Sequence, residues 1–349
     1  MKVICLLYIN MLEHRYKKFL RTWLWSGIIL VIFMVAVGGI TRLTGSGLSI
    51  VKWKIVTGTI PPLSQEEWQE AFDQYKETPQ FKQINKTFTV KDFKGIYWWE
   101  YFHRLVGRFI GLLFIVPFAF FLWKRSLPGW LKKYLFLILG LGAFQGVMGW
   151  IMVMSGLTEM PYVSHYRLAA HLSLAIILVS VILWTIMRIN TPQLRKNLIP
   201  RLLYAAMVVL FFQIILGAFV AGLKAGFYYN TFPLMGDKLI PENVFASIHN
   251  GVLIQFVHRW FAFITGGFLV ATWLSMRRYN NTSLNRMSDA LLVLAAIQIL
   301  LGIFTLIYRV PVWLGVLHQV TAVVLVAVLT VMIFQVRHRL EPPAASQPL

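Results

Sequence analysis

A single cysteine, Cys5, stands among 349 residues. It can form no intramolecular disulfide and no multi-thiolate metal site, so covalent staples and cysteine-held zinc are excluded. Charge is scarce too, at 13% of residues where a soluble domain carries about 25%. Acids are the scarcest, 13 against 33 Lys and Arg. With 58% apolar residues beside so little charge, the chain needs a solvent other than water.

Separated apolar runs meet that need, at 23–41, 102–123, 134–154, 168–187, 202–223, 253–275, 289–308 and 312–335. Each is about 20 residues long, the length with which a helix crosses the hydrocarbon core. In lipid every backbone polar group must be satisfied within its segment, so all eight runs are read as helices and the fold as an all-α integral membrane protein. The net charge of +20 would suit nucleic acid if it were gathered on one face. It follows topology instead. With the N-terminus in the cytoplasm, cytoplasmic segments hold 18 of the 33 basic residues, accompanied only by Glu13, Asp289 and Glu341 as acids. The positive-inside rule then places both termini on the cytoplasmic side, with anionic lipid rather than nucleic acid beside the basic residues, and the expected location is a bacterial inner membrane. Residues 1–20 hold too short an apolar run for a secretory signal, and Met11 offers an alternative start before the first full run.

The chain reads as two related halves. Glu100-x-x-His103-Arg104 opens the second run and Gln255-x-x-His258-Arg259 the sixth, 155 residues later. Gln145 and Gly149 in the third run match Gln298 and Gly302 in the seventh, and His171 in the fourth matches His318 in the eighth. Gly38 to Gly47 lines up loosely with Gly217 to Gly226. Four helices per repeat predict two four-helix bundles, 1–190 and 191–349, related by a pseudo-two-fold along the membrane normal. The loop 42–99 is the only long one in the first half. Ser64-x-x-Glu67 within it is a capping box, predicting an amphipathic helix over 64–76 on the outer surface.

Topology carries the chemistry. The second, fourth, sixth and eighth helices all run inward, so His103, His171, His258 and His318 lie at similar depth near the outer face, in the first turn or two of their helices. One such histidine can simply bond a carbonyl. Four at matched positions, two per half, point to a cofactor or metal, since ionisable groups inside a bundle are costly. Paired imidazoles from facing helices suit haem iron, whereas zinc or copper sites more often recruit carboxylate or thiolate. Arg104, Arg108, Arg167 and Arg259 flank these histidines; guanidinium forks suit haem propionates, and arginine also marks helix ends. Glu100, three residues before His103, has Gln255 as its counterpart. A carboxylate in one half alone suggests proton-coupled chemistry there and cofactor holding in the other, against the plainer reading that Glu100 pairs with Arg104. His14, His165, His249 and His338 are expected to be solvated in loops and tails. Gly107-x-x-x-Gly111 and Gly142-x-x-x-Gly146 are expected to bring helices close. Gln145 and Gln298 fit either a buried group or an interhelical bond.

With Gly38-Gly39-Ile40-Thr41-Arg42-Leu43-Thr44-Gly45-Ser46-Gly47-Leu48-Ser49, Trp53, Pro61-Pro62, Glu100-x-x-His103-Arg104, Tyr166-Arg167-x-x-x-His171, Gln255-x-x-His258-Arg259 and Leu317-His318-Gln319, the sequence resembles the haem A synthase family over most of its length. Having no cysteine pair in the first outer loop, it is similar to the cysteine-free branch that includes the mitochondrial enzymes. The resemblance implies oxidation of the C8 methyl of haem O to a formyl group, giving haem A for terminal oxidases, by two successive hydroxylations and loss of water. It implies that His103 and His171 bracket haem O with Glu100 beside them, and that His258 and His318 ligate haem b. A functional link to haem O synthase and an electron donor are implied partners. Two other classes compete: a dihaem b-type cytochrome passing electrons from quinol to a partner, and a repeat-built transporter, which the absence of paired helix breaks disfavours.

Overall fold

The computed structural model describes residues 2–52, 57–158, 160–191, 200–242, 244–245, 251–279 and 281–338, with no side-chain description for 2–15 and 57. Trp53 and His249 lie outside the described residues, and of His14 only its place in a helix is described. Among the described residues there is no strand, and eight helices are long and apolar enough to cross a membrane. The protein is a multi-pass membrane protein.

The long helices are α1 (Lys2–Leu43), α4 (Val90–Trp123), α5 (Gly129–Leu157), α6 (His165–Asn190), α7 (Arg201–Gly222), α8 (Gly251–Met276), α9 (Thr282–Ile307) and α10 (Val312–His338). Two short helices, α2 (Gln65–Lys76) and α3 (Pro79–Gln83), lie between α1 and α4.

α1, α4, α5 and α6 pack in one ring, and α7, α8, α9 and α10 in another. The rings share a central layer, because α1 and α6 also pack on α10, and α6 and α10 on α7. Burial follows that layering: 56% of the apolar stretch of α6 is buried, against 6% for α5. Lipid is as apolar as leucine, so small residues and polar ties rather than water exclusion join the layer. Gly39 lets α1 close on Val316 and Gln319 of α10, whose side-chain amide donates to the Val35 carbonyl at 2.9 Å. Arg42 donates to the Ala221 carbonyl at the end of α7, 3.1 Å away.

α2 forms where its capping box predicts. The Ser64 hydroxyl accepts from the Glu67 amide, and the Glu67 carboxylate accepts from the Ser64 amide. Its apolar face is covered by protein. Trp68, Phe72 and Tyr75 pack against Phe93, Ile96 and Tyr97 of α4 in a small separate core. That is possible because α4 starts at Val90, twelve residues before the apolar run, under a second capping box between Thr89 and Asp92. His103 accordingly stands well inside α4 rather than in its first turns.

Other expectations also shift. His165 is the first residue of α6, and its ring packs edge-on to Phe219 of α7; Gly222 leaves room for it. His338 closes α10, buried against Trp184 and Phe334. Packing on aromatic rings replaces the solvation expected of His338, and His165 is half-buried against such rings. In the two small-xxx-small patterns, a Cβ on Gly107 would touch only Met34, and one on Gly111, Gly142 or Gly146 would meet nothing within 4 Å. These glycines do not bring helices into close contact.

Candidate functional site

Each of the four helix histidines lies against a glycine of the helix before it in its ring. An added Cβ on Gly38 of α1 would stand 2.9 Å from Cε1 of His103. On Gly149 of α5 it would stand 3.2 Å from Cε1 of His171, on Gly217 of α7 3.0 Å from that of His258, and on Gly302 of α9 3.0 Å from that of His318. Any side chain at these positions would push the ring away, since carbon atoms settle at about 3.5–4.0 Å. The neighbouring helix thus offers bare backbone as a seat for the imidazole.

One turn from three of these glycines stands a glutamine. Gln145 donates to the His171 carbonyl at 3.1 Å, and Gln213 to the His258 carbonyl at 2.9 Å. Nδ1 of His318 lies 3.1 Å from the Gln298 carbonyl. A carbonyl only accepts, so that ring is protonated at Nδ1 and carries its lone pair on Nε2, which the Gln298 side-chain amide approaches at 3.5 Å. The fourth equivalent position, one turn before Gly38, is Met34. Gln213 escaped the reading of the sequence; the spacing Gln-x-x-x-Gly, repeated at 145–149, 213–217 and 298–302, was the available signal.

The histidines meet in pairs. The ring centroids of His258 and His318 are 6.5 Å apart, with ring planes at 84°. A metal bound by both Nε2 atoms at about 2.0–2.1 Å, each roughly 1.1 Å from its ring centre, requires a centroid separation of about 6.3 Å. The observed centroid spacing matches that length. His103 and His171 lie within electrostatic reach of each other. Nδ1 of His103, His171 and His258 is buried with no hydrogen-bond partner. Among the described residues no three His, Cys, Asp or Glu side chains gather into a metal cage. Paired imidazoles on glycine seats fit a haem iron, whose other ligands come from the porphyrin.

Glu100 is buried at 3% exposure and heavily engaged. Its Oε2 accepts from the Ser49 amide and hydroxyl, both at 2.7 Å, and from the Ile50 amide at 2.9 Å. Its Oε1 accepts from Arg104 at 2.6 Å, and Arg104 also donates to the Ile50 carbonyl. The second half repeats the clasp with opposite polarity. Gln255 and Arg259 both donate to the Tyr229 carbonyl, and Arg259 to that of Thr231. Backbone amides face a carboxylate in one half; carbonyls face an amide and a guanidinium in the other. Arg167 donates to the Ile151 carbonyl at 2.7 Å, and Arg108 lies one turn beyond Arg104 on α4. Three of the four expected propionate ligands therefore also fasten backbone.

Residues 21–330 match the profile of a family described as cytochrome oxidase assembly protein, COX15-CtaA. The chain is 44% identical over 328 residues to a protein named heme A synthase from Flavobacterium psychrophilum, covering 90% of this chain and 97% of the relative. It is 44% identical over 338 residues to one from Bradyrhizobium sp. strain BTAi1, covering 93% and 91%. It is 40% identical over 320 residues to one from Sphingopyxis alaskensis, covering 88% and 89%. A profile matched over most of the chain, and relatives matched almost end to end, establish that this protein belongs to the COX15-CtaA family of cytochrome oxidase assembly proteins.

Proposed function

We propose that the protein is a haem A synthase: an oxidoreductase that converts the C8 methyl of haem O to a formyl group by two successive hydroxylations and loss of water, for assembly of cytochrome oxidase. The observation that carries this reading is the set of four glycine-seated histidines, two per half, in a chain whose relatives bear that name.

The halves, 1–190 and 191–349, are taken as pseudo-two-fold-related bundles with different duties. His103 and His171 hold the substrate, haem O, and His258 and His318 hold haem b. When bound, haem b supplies one-electron chemistry. Arg104, Arg108, Arg167 and Arg259 offer guanidinium groups to propionates. Glu100 is the proton-handling group. Its Oε2 already receives three donors, so Oε1, shared only with Arg104, is the atom with acceptor capacity left for a proton. The reading places the protein in the bacterial inner membrane with both termini in the cytoplasm, which supports an outward-facing site and a basic cytoplasmic face. An electron donor and a functional link to haem O synthase complete it.

The test is chromatographic haem analysis of membranes from a host that makes haem O, with and without the gene. Haem A, or its hydroxymethyl precursor, should appear only with the gene, and Glu100→Ala should stall its formation while both haem sites still fill. Haem b and haem O alone, beside an intact bis-imidazole spectrum, would leave an electron-carrying cytochrome instead.

A further inference from the structure

The cleft between α8 and α9 has a plug. Ile299 of α9 reaches toward α8, its Cδ1 3.9 Å from the place a Cβ would take on Gly266. One turn away Ala295 is buried. The offset that brings His258 onto His103 brings Gly266 onto Gly111, and the offset that brings Gly302 onto Gly149 brings Ile299 onto Gly146 and Ala295 onto Gly142. At those three positions of the first half a Cβ would meet nothing within 4 Å, and Gly142 and Gly146 are exposed. α4 and α5 also pack on each other far more sparsely than α8 and α9 do. One half thus carries a branched side chain where the other carries only hydrogen atoms.

This open cleft begins at a histidine pair. Gly149, which seats His171, is one turn from Gly146 on α5, and Gln145 beside Gly146 bonds the His171 carbonyl. At this head of the cleft, Nδ1 of His171 and Oε1 of Gln145 are buried without hydrogen-bond partners. On the other wall Gly111 lies two turns along α4 from His103, about 12 Å deeper in the bundle.

We propose that the cleft opened by Gly111, Gly142 and Gly146 holds the isoprenoid chain of haem O, and that Ile299 closes the matching cleft so that the second site accepts only a porphyrin without such a chain. The inference rests on the proposed function and adds its specificity determinant. Haem O and haem b differ in that chain. Two imidazoles and the propionate contacts would leave a porphyrin two orientations, related by a half-turn that exchanges its two propionates. A chain confined to one cleft removes that freedom and fixes which methyl group faces the catalytic residues. A bulky chain excluded by one side chain in an apolar pocket corresponds to discrimination of about tenfold or more.

The test uses full-length wild type, Gly146→Ile and Ile299→Gly, purified from a haem O-producing host and analysed by chromatography for each haem per protein. Wild type should carry haem b together with haem O or haem A. Gly146→Ile should lose haem O and haem A about tenfold or more and keep its haem b with the bis-imidazole spectrum. Ile299→Gly should gain haem O at the expense of haem b. Wild-type levels of haem O and haem A in Gly146→Ile would overturn the proposal, also where that variant merely loses co-purified lipid. If Gly146→Ile loses haem b too, Gly146→Ala and Gly142→Ala decide: a partial fall in haem O with haem b intact supports the cleft, and no fall overturns it. Wild type that neither binds nor converts haem O, with haem b in place, would remove the proposed function itself.

Discussion

Replacing Gly302 by alanine puts a methyl group where α9 seats the ring of His318. The new Cβ would lie 3.0 Å from Cε1 and 3.5 Å from Nδ1. Relaxing the first contact to about 3.5 Å moves the ring or α9 by about half an ångström. The ring has little freedom to retreat, because Nδ1 is tied to the Gln298 carbonyl at 3.1 Å. Metal–nitrogen distances tolerate only about 0.2 Å, so the displacement exceeds what an iron bond absorbs. Disturbing the support of a metal ligand costs about 10–100-fold in affinity, which is about 1.4–2.8 kcal/mol. The assay is transfer of haem b from the purified protein to apomyoglobin, followed through the bis-imidazole spectrum. Gly267→Ala is the control, since a Cβ there meets nothing within 4 Å. Transfer from Gly302→Ala no faster than from wild type, or equally accelerated in both variants, would refute the seat.

Gln213→Leu leaves the His258 carbonyl without its side-chain donor and should weaken haem b retention about tenfold; unchanged retention would make the glutamine a packing residue only. Glu100→Gln cannot offer acceptors to Arg104 and to the Ser49–Ile50 backbone at once. It should release about 1.5–3 kcal/mol of local anchoring, read as faster hydrogen exchange at the Ser49 and Ile50 amides, and unaltered exchange would argue against the clasp. Trp68→Ala empties the small core between α2 and α4 at a cost of about 3–5 kcal/mol. Limited proteolysis should then cut within 64–89 while the membrane helices stay protected, and resistance equal to wild type would count against that core.

Eight helices and four histidines were legible because lipid imposes long apolar runs and the polar landmarks recur in a fixed order. What escaped was decided by contacts distant in sequence. The hydropathy of α4 begins at 102, yet the helix begins at Val90, and the Thr89–Asp92 box was the local sign of it. Glu100 alone suggested acid–base chemistry; its hold on Ser49, 51 residues away, shows only in three dimensions. His165 and His338 looked like loop residues because nothing nearby in sequence announces Phe219 or Trp184 as their neighbours. The glycine patterns misled for a related reason. A small residue signals that something comes close without saying what: at Gly302 it is an imidazole, and at Gly146 none of the chain's own atoms.

α4 is one unbroken helix from Val90 to Trp123. Phe93 and Tyr97 are gripped by α2, Glu100 by the 49–50 backbone, and His103 rests on Gly38. From Phe93 to His103 the rod spans about 15 Å, so a tilt of about 5° at one end moves the other by roughly 1.3 Å. With no slack against Gly38, such a tilt must either carry α1 along or lift the imidazole from its seat. The α2 platform and the imidazole of His103 are two ends of one lever, and a load on the platform is felt at the ring without touching it.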